Sequence, residues 1–321
     1  MKKKWLLYLV LVLSIALVVT GCGSGSSQSS GIGSSGGSQQ QSSQSSGPKG
    51  SLTVGGKDFT EQLLLTKITS IYLKENGYDV KEVAGMGSTV VRSALENKQV
   101  DLYWEYTGTA LVVYQKQDAE SDPVKAYELV KAKDEEIGLI WLDMSSLNNT
   151  YAILMKREKA EQLGIKSISD LARYVNENPT HLKFGTNSEF YAREDGIKGM
   201  EKKYGFEFPP DNVIRMDQGL LYTALKDDKT DVTMGASTDG RIKALNLVYL
   251  EDDLQFFPAY NVTPVVRKEV LDKYPEVADL LNKLSKELST EEMMELNYIV
   301  DLDQKDITEV AREWLVSKGL I

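Results

Sequence analysis

Hydrophobic and polar residues alternate in short blocks along most of the chain, and the block lengths predict strands and helices in turn. Residues 52–55 form an apolar run typical of a strand. Residues 60–76 place Leu64, Ile68 and Ile71 on one helical face. The elements expected next are a strand at 78–83, a helix at 88–97 and a strand at 101–104. This alternation indicates an α/β fold with a largely parallel sheet.

The start of the first predicted helix carries two acidic residues with a spacing typical of a helix cap. Asp58 precedes the apolar run and Glu61 follows three residues later. Side chains placed in this way commonly accept hydrogen bonds from the backbone N–H groups of the first helical turn. We therefore interpret the pair as a capping arrangement.

One strand–helix–strand unit occurs twice in the sequence. The pattern of apolar positions from Val83 to Leu95 recurs from Val213 to Leu225, an offset of 130 residues. In each copy an aspartate then opens the next predicted strand, Asp101 or Asp231. Two similar α/β lobes are the simplest interpretation, and small ligands commonly bind in a cleft between such units.

The segments between the two halves predict where the chain crosses from one lobe to the other. Residues 148–151 lead into the second half, and residues 256–260 lead back. The prediction therefore assigns 51–148 with 259–321 to lobe 1 and 149–258 to lobe 2, with a hinge at the crossings. Apolar residues at helical spacing predict C-terminal helices that return to lobe 1: Val277, Leu281, Leu284, Leu288, Val310, Trp314 and Leu315.

The first fifty residues differ in composition from the rest. Three lysines precede an apolar stretch at 5–19, which is shorter than the roughly 20 residues of a membrane-spanning helix and has the form of a secretory signal. The run that ends at Cys22 (VTGC) resembles the lipobox of bacterial lipoproteins. This resemblance implies that residues 1–21 are a cleaved signal peptide. Cys22 is then lipidated, and residues 22–50, rich in Gly, Ser and Gln, tether the fold to the outer face of the membrane.

Charge and residue counts exclude several classes of function. The formal net charge of −10 argues against a nucleic-acid partner, which requires a basic surface. The chain has one histidine, His181, and one cysteine, so a histidine-dependent nucleophile or a His/Cys metal site lacks its residues. We therefore predict no catalytic residues, no metal and no cofactor.

Tyrosine is the enriched aromatic residue, with 16 Tyr against 7 Phe. A tyrosine ring attracts a cation through its π face, which suits a trimethylammonium group because that group cannot donate a hydrogen bond. Tyr106 follows a strand and precedes a Gly turn, while Tyr151 and Tyr260 lie on the two predicted crossings. We expect these three side chains to converge on the cleft.

Five segments, in order along the chain, resemble osmoprotectant-binding proteins of the glycine betaine/carnitine/choline type. They are residues 55–62 (GGKDFTEQ), 101–109 (DLYWEYTGT), 149–152 (NTYA), 237–242 (STDGRI) and 256–266, which contains FFP and PVV. The resemblance implies a two-lobed type II periplasmic-binding-protein fold with two crossover strands and a ligand cleft between the lobes. It also implies a solute-binding lipoprotein that serves the permease subunits of an ABC importer.

By motif position, the resemblance implies that Tyr106, Tyr151 and Tyr260 form a cage for the quaternary ammonium. A fourth family tyrosine lies just before the S-T-D-G motif, where this chain has Ala236. The missing ring either weakens binding of the smallest betaines or makes room for a larger ligand, such as carnitine or the thiol-imidazole betaine ergothioneine. Position 236 is therefore expected to tune specificity.

The resemblance also implies three anchors for a ligand carboxylate, namely Lys57, Thr109 and Arg193. Choline-restricted relatives tend to have Asp at the position of Thr109, which would repel a carboxylate. Arg193 is expected near the start of a second-lobe helix, where the helix N-terminus also favours an anion. A function of another class stays open, in which a membrane-anchored sensor or adhesin uses the same fold for protein contact.

Overall fold

The computed structural model describes residues 48–321. The predicted signal peptide, Cys22 and the tether up to residue 47 lie outside the described residues. Within 48–321 no helix is both long enough and apolar enough to cross a membrane.

The first part of the chain, residues 51–141, alternates strands and helices as the sequence pattern predicts. The elements are β1 (Ser51–Lys57), α1 (Thr60–Glu75), β2 (Asp79–Met86), α2 (Ser88–Glu96), β3 (Leu102–Tyr106), α3 (Thr107–Thr109) continued by a π-helical turn (Ala110–Tyr114), α4 (Pro123–Glu135) and β4 (Leu139–Trp141). Strands β1, β3 and β4 of this part are mostly buried, whereas the edge strand β2 is largely exposed. The face of the first helix with Leu64, Ile68 and Ile71 is buried too.

The middle part, residues 151–249, repeats this alternation with shorter strands. Its elements are β5 (Tyr151–Lys156), α5 (Arg157–Leu163), α6 (Ile168–Glu177), β6 (Phe184–Thr186), α7 (Ser188–Ala192), α8 (Ile197–Tyr204), a 3-10 turn (Pro210–Asn212), β7 (Val213–Arg215), α9 (Gln218–Lys226), β8 (Val232–Ala236), α10 (Arg241–Ala244) and β9 (Leu247–Tyr249).

The last part of the chain returns to the first sheet. It consists of β10 (Val262–Arg267), α11 (Lys268–Lys273), α12 (Glu276–Glu287), α13 (Thr290–Asp301) and α14 (Ile307–Ser317). The apolar residues that predicted the C-terminal helices are all buried in the core built around β1 and α1. The expectation that these helices pack on the first lobe is therefore confirmed.

Two five-stranded sheets form the centres of the two lobes. Their strand orders are β2-β1-β3-β10-β4 and β7-β6-β8-β5-β9. Strand β10 runs antiparallel to β3 and β4, and β5 runs antiparallel to β8 and β9. Each sheet thus receives one reversed strand directly after the chain has crossed from the other lobe, which confirms a two-lobed α/β fold with two crossovers.

The two crossing segments lie side by side. Asn148 and Asn261 form an isolated antiparallel bridge. The backbone N–H of Asn149 donates to the carbonyl of Tyr260 over 3.1 Å, and the side chain of Asn148 accepts from the Tyr260 N–H at 2.9 Å. The crossings therefore join at one place. The lobe limits at 148/149 and 258/259 stay a prediction.

In both copies of the 130-residue repeat, the aspartate before a strand accepts a hydrogen bond from the backbone of another segment. Asp101 accepts a hydrogen bond of 2.7 Å from the backbone N–H of Thr53. Asp231 accepts one of the same length from the N–H of Lys183, which lies 130 residues after Thr53. Each aspartate also forms an ion pair, Asp101 with Arg267 and Asp231 with Lys159.

The predicted capping pair at the start of α1 is wrong. Phe59 is the N-cap residue and no side chain caps the helix. Asp58 is exposed, and Glu61 is buried and turned toward other elements. A cap needs a side chain that folds back onto its own first turn, and Glu61 instead accepts hydrogen bonds from Tyr106 and Asn149.

Candidate ligand-binding cleft

A cleft of about 630 Å³ lies between the two lobes. Its walls include Phe59 and Glu61 from one lobe and Asn187 and Gln218 from the other. The structure brings all seven residues singled out from the sequence to this one cleft: Lys57, Tyr106, Thr109, Tyr151, Arg193, Ala236 and Tyr260. What these residues bind stays a prediction.

The three tyrosines reach the cleft from positions at or close to the end of a strand. Tyr106 is the last residue of β3, Tyr151 the first of β5, and Tyr260 lies two residues before β10. The rings of Tyr151 and Tyr260 meet edge to face, with centroids 5.2 Å apart and planes at 77°. Tyr151 contacts the cores of both lobes, so it lies at the junction between them.

The hydroxyl of Tyr106 points away from solvent and toward helix α1. It donates a hydrogen bond of 2.7 Å to Glu61 Oε1. Burial raises the pKa of Tyr106 well above its usual value, and the neighbouring Glu61 carboxylate adds to the rise. The phenol therefore remains a hydrogen-bond donor at physiological pH.

Lys57 is a fully buried lysine at the end of β1, and it already has an anionic partner. Its Nζ lies 2.6 Å from Glu105 Oε1, and both side chains are buried. Glu105 also accepts hydrogen bonds from the hydroxyls of Tyr103 and Tyr114. The Lys57 ammonium lies 4.7 Å from the centroid of the Tyr106 ring, so the pair borders the cleft beside that ring.

Arg193 does not lie at the start of a helix, as the sequence suggested, but at the C-terminal end of α7. Its guanidinium forms two hydrogen bonds to Asp195, at 2.6 and 2.5 Å, and a third of 2.9 Å to Glu189. The same Nη1 atom lies 3.4 Å from the hydroxyl of Thr109 in the other lobe. Tyr260 donates its hydroxyl to Asp195, which ties the arginine to the predicted cage.

Ala236 faces the cleft beside Tyr151. The two residues are directly opposite each other in the antiparallel pair of β5 and β8, and side chains opposite each other in such a pair lie on the same face of the sheet. Ala236 is partly exposed, and its backbone N–H donates to the hydroxyl of Tyr222 at 3.2 Å. A larger side chain at position 236 would therefore extend next to the Tyr151 ring.

Sequence reasoning did not select several polar residues that organise this cleft. Glu61 and Asn149 lie inside motifs that were recognised, but Glu61 was interpreted as a cap and Asn149 was given no role. Glu105 and Asp195 form ion pairs with Lys57 and Arg193. Their position within the same motifs as Lys57 and Arg193 was the available signal, because a buried cation requires a buried anion close by.

The described residues contain no group of His, Cys, Asp and Glu side chains arranged to hold a metal ion. His181 is exposed, and its Nδ1 lies 2.7 Å from the hydroxyl of Tyr174 on the same lobe surface. It therefore lies apart from the residues that line the cleft.

A family of known proteins matches nearly all of the described chain. Residues 50–317 match the family described as the substrate binding domain of the ABC-type glycine betaine transport system. A glycine-betaine-binding protein of Pseudomonas aeruginosa is 45% identical over 276 residues, covering 84% of this chain and 88% of that protein. The chain therefore belongs to this family of solute-binding proteins of ABC importers and is not an enzyme.

Two further comparisons agree with the fold. A crystal structure of a glycine betaine/carnitine/choline ABC transporter superposes with a TM-score of 0.69 at 31% identity, over 84% of this chain and 98% of that one. An ergothioneine transport permease/ergothioneine binding protein of Helicobacter pylori is 35% identical over 277 residues. The match covers 84% of this chain and 48% of that longer protein. The type II periplasmic-binding-protein fold predicted from the sequence is thus confirmed.

Proposed function

We propose that this protein captures a quaternary-ammonium osmoprotectant of the glycine betaine type in a cage formed by Tyr106, Tyr151 and Tyr260. The observation that carries the proposal is the convergence of these three rings on one cleft between the lobes. Aromatic faces attract a desolvated cation by about 0.5–2 kcal/mol each. Closure of the lobes would remove water from the cage and strengthen that attraction.

The charges of the cleft support a cationic ligand. Three basic and six acidic residues line it. The two basic residues nearest the tyrosines, Lys57 and Arg193, are already paired with Glu105 and Asp195. An acidic lining raises the local concentration of cations and disfavours simple anions.

A betaine also carries a carboxylate, for which we propose Lys57, Thr109 and Arg193 as anchors. Arg193 Nη1 is the atom nearest Thr109, and its other partner is Glu189, whose side chain is partly exposed. A ligand carboxylate can take the place of Glu189 there, because an exposed carboxylate returns to water at little cost. Asp195 would stay in place and keep the guanidinium oriented.

A larger betaine is the second candidate, and Ala236 favours it. The small side chain leaves space on the face that it shares with Tyr151. The Helicobacter pylori relative is named for ergothioneine, a betaine with a larger substituent than glycine betaine. A larger side chain at position 236 is expected to strengthen binding of glycine betaine and to weaken binding of a larger betaine, so a substitution there distinguishes the two candidates.

We further propose that Cys22 is lipidated and holds the domain at the outer face of the membrane, where it delivers the ligand to the permease subunits. The lipobox resemblance and the tether composition support this. Replacing Cys22 by Ala is expected to shift the protein from the membrane fraction to the soluble fraction, or to leave it unprocessed. Cleavage after Gly21 with unchanged membrane binding in the variant would contradict lipidation.

The ligand class is tested by thermal unfolding of the purified chain with glycine betaine, choline, carnitine or ergothioneine. A ligand at 100 times its Kd adds about 2.7 kcal/mol of stability, which is a clear rise in the unfolding midpoint. Dimethylglycine and glycine serve as controls, and we expect much smaller shifts because each lost methyl adds an N–H that the cage cannot pair. Equal shifts with ordinary amino acids would reject the cage. No shift with any ligand would favour a sensor or adhesin.

A further inference from the structure

Glu61 is a buried carboxylate that no basic side chain neutralises among residues 48–321. It is 2% exposed and lies on the wall of the cleft. Its Oε1 accepts hydrogen bonds from the Tyr106 hydroxyl at 2.7 Å and from Asn149 Nδ2 at 2.9 Å, both of them neutral donors. Burial raises the pKa of Glu61, and the nearby side chains of Tyr106, Thr238, Asn149 and Asn297 offset only part of that rise.

The other buried acidic residues of the described chain differ in this respect. Each of the four has an arginine or lysine within 2.5–2.6 Å: Glu105 with Lys57, Asp134 with Arg92, Asp195 with Arg193, and Asp239 with Arg241. Four of the five buried carboxylates of the described chain are therefore neutralised within the protein. Glu61 is the exception, because it forms no ion pair with any residue of the described chain.

The surroundings of Glu61 add further negative potential. Its Oε2 forms no hydrogen bond of standard geometry with the described residues, although the side chains of Thr238 and Asn297 lie close enough to lower the Glu61 pKa. The side-chain oxygens of Asn149 and Asn297 are likewise buried without a donor. Asn149 donates to Glu61, and Asn297 lies close enough to affect its pKa, so the three oxygens belong to one region. This end of the cleft is rich in acceptors, and the basic residues that line the cleft near it, Lys57 and Arg241, are already paired with Glu105 and Asp239.

A buried charge without a partner lowers the stability of the folded protein. A protein can tolerate that loss at a binding site, because a ligand of opposite charge supplies the missing partner. A cation in the cleft against the Tyr106 ring would lie close to Glu61, because the Tyr106 hydroxyl and Glu61 are in direct contact. In a poorly solvated site two opposite charges attract strongly over several ångströms.

We propose that Glu61 is a specificity-determining residue whose carboxylate is the counter-charge of the cationic ligand. The proposal rests on the proposed function and adds the residue that makes the site prefer a cation to a neutral molecule of the same shape. The other four buried acids have a cationic partner within the protein, whereas the cationic partner of Glu61 is the ligand.

The substitution Glu61→Gln tests the proposed counter-charge by two measurements, the stability of the ligand-free protein and its affinity for choline. The amide has the shape of the carboxylate, still accepts from Tyr106 and Asn149, and can donate to the unpaired amide oxygens. Removing an uncompensated buried charge is therefore expected to leave the thermal unfolding midpoint of the ligand-free protein unchanged or higher by about 2 °C or more. The same change is expected to weaken choline binding by about tenfold or more, since its charge is unopposed.

Glycine betaine is the second probe, with a smaller expected loss because its own carboxylate partly offsets the attraction. The matched control is Glu75→Gln, which removes the same charge from the exposed end of α1 and is expected to leave both affinities within about twofold. A Glu61→Gln protein that is less stable and binds less would assign Glu61 a structural role. Unchanged affinity would overturn the proposal outright.

A second measurement follows the protons that the natural chain releases when choline binds. Choline has no titratable group, so calorimetry in buffers of different ionisation enthalpy reports protons lost by the protein. Binding of a cation favours the charged form of Glu61, so proton release is expected at mildly acidic pH. The side chains that affect the Glu61 pKa come from β3 (Tyr106), the first crossing (Asn149), the segment after β8 (Thr238) and α13 (Asn297), and none of them titrates there. Burial also raises the pKa of Asp301, which accepts a hydrogen bond from Thr60, so the same measurement on Glu61→Gln assigns the proton.

Absence of proton release would contradict the proposal. Release that persists unchanged in Glu61→Gln would assign the proton to another acid of the cleft and contradict it too. If none of choline, glycine betaine, carnitine and ergothioneine binds the natural chain, the proposed function fails together with this inference. If one of them binds equally well to Glu61→Gln, only the inference fails.

Discussion

The two halves of the molecule share a framework but end differently at the cleft. Strands β3 and β8 occupy the same place in the 130-residue repeat, and each follows an aspartate that fastens it to a neighbouring backbone. Strand β3 ends in Tyr106, and β8 ends in Ala236 at the corresponding position. One half therefore presents an aromatic ring to the cleft where the other presents a methyl group.

The residues that pack around these strand ends also differ between the two halves. Gly235 corresponds to Glu105 in the repeat, and Tyr222 corresponds to Arg92. A Cβ at Gly235 would lie 2.8 Å from the Tyr222 hydroxyl and 2.5 Å from Leu154, so only glycine lets Tyr222 pack there. The Tyr222 ring is fully buried in the core of the second lobe. The two halves thus share a scaffold and differ in single residues at the strand ends that face the cleft.

Removing the ring from the first half should have the largest effect. Tyr106→Ala is expected to weaken glycine betaine binding by about 30-fold, the equivalent of roughly 2 kcal/mol from one desolvated cation–π contact. Tyr106→Phe keeps the ring and loses only the hydroxyl, so a loss under about threefold is expected. Calorimetry on variants with an unchanged circular dichroism spectrum provides the measurement. Equal losses in the two variants would show that the hydroxyl matters and the ring does not.

Adding a ring to the second half should have a smaller effect of the opposite sign. Ala236→Tyr places an aromatic side chain beside Tyr151, so glycine betaine is expected to bind about tenfold more tightly, or about 1.4 kcal/mol. Ergothioneine is expected to bind less tightly, because the new ring occupies the space for its larger substituent. Kd values for both ligands on both proteins decide the matter. An unchanged order of preference would mean that the side chain at position 236 does not reach the ligand.

Sequence patterns predicted the scaffold of this protein better than its polar interior. Periodicity and the repeat placed the strands, helices and crossings, because burial forces apolar residues into regular positions such as those of Leu64 and Val277. The residues chosen from the family resemblance all line one cleft. The partners of those residues were not visible, since a carboxylate such as Glu61 looks the same in sequence whether it caps a helix or turns into a cleft. The location of Arg193 at a helix end was missed because α7 has only five residues.

The central claim is that three tyrosines surround the ammonium of the ligand, and a crystal structure of the complex with glycine betaine tests it most directly. The account predicts the ammonium nitrogen within about 6 Å of the ring centroids of Tyr106, Tyr151 and Tyr260. It also predicts the carboxylate within hydrogen-bonding distance of Thr109, Arg193 or Lys57. An ammonium group outside the three rings, or a carboxylate among them, would contradict the account.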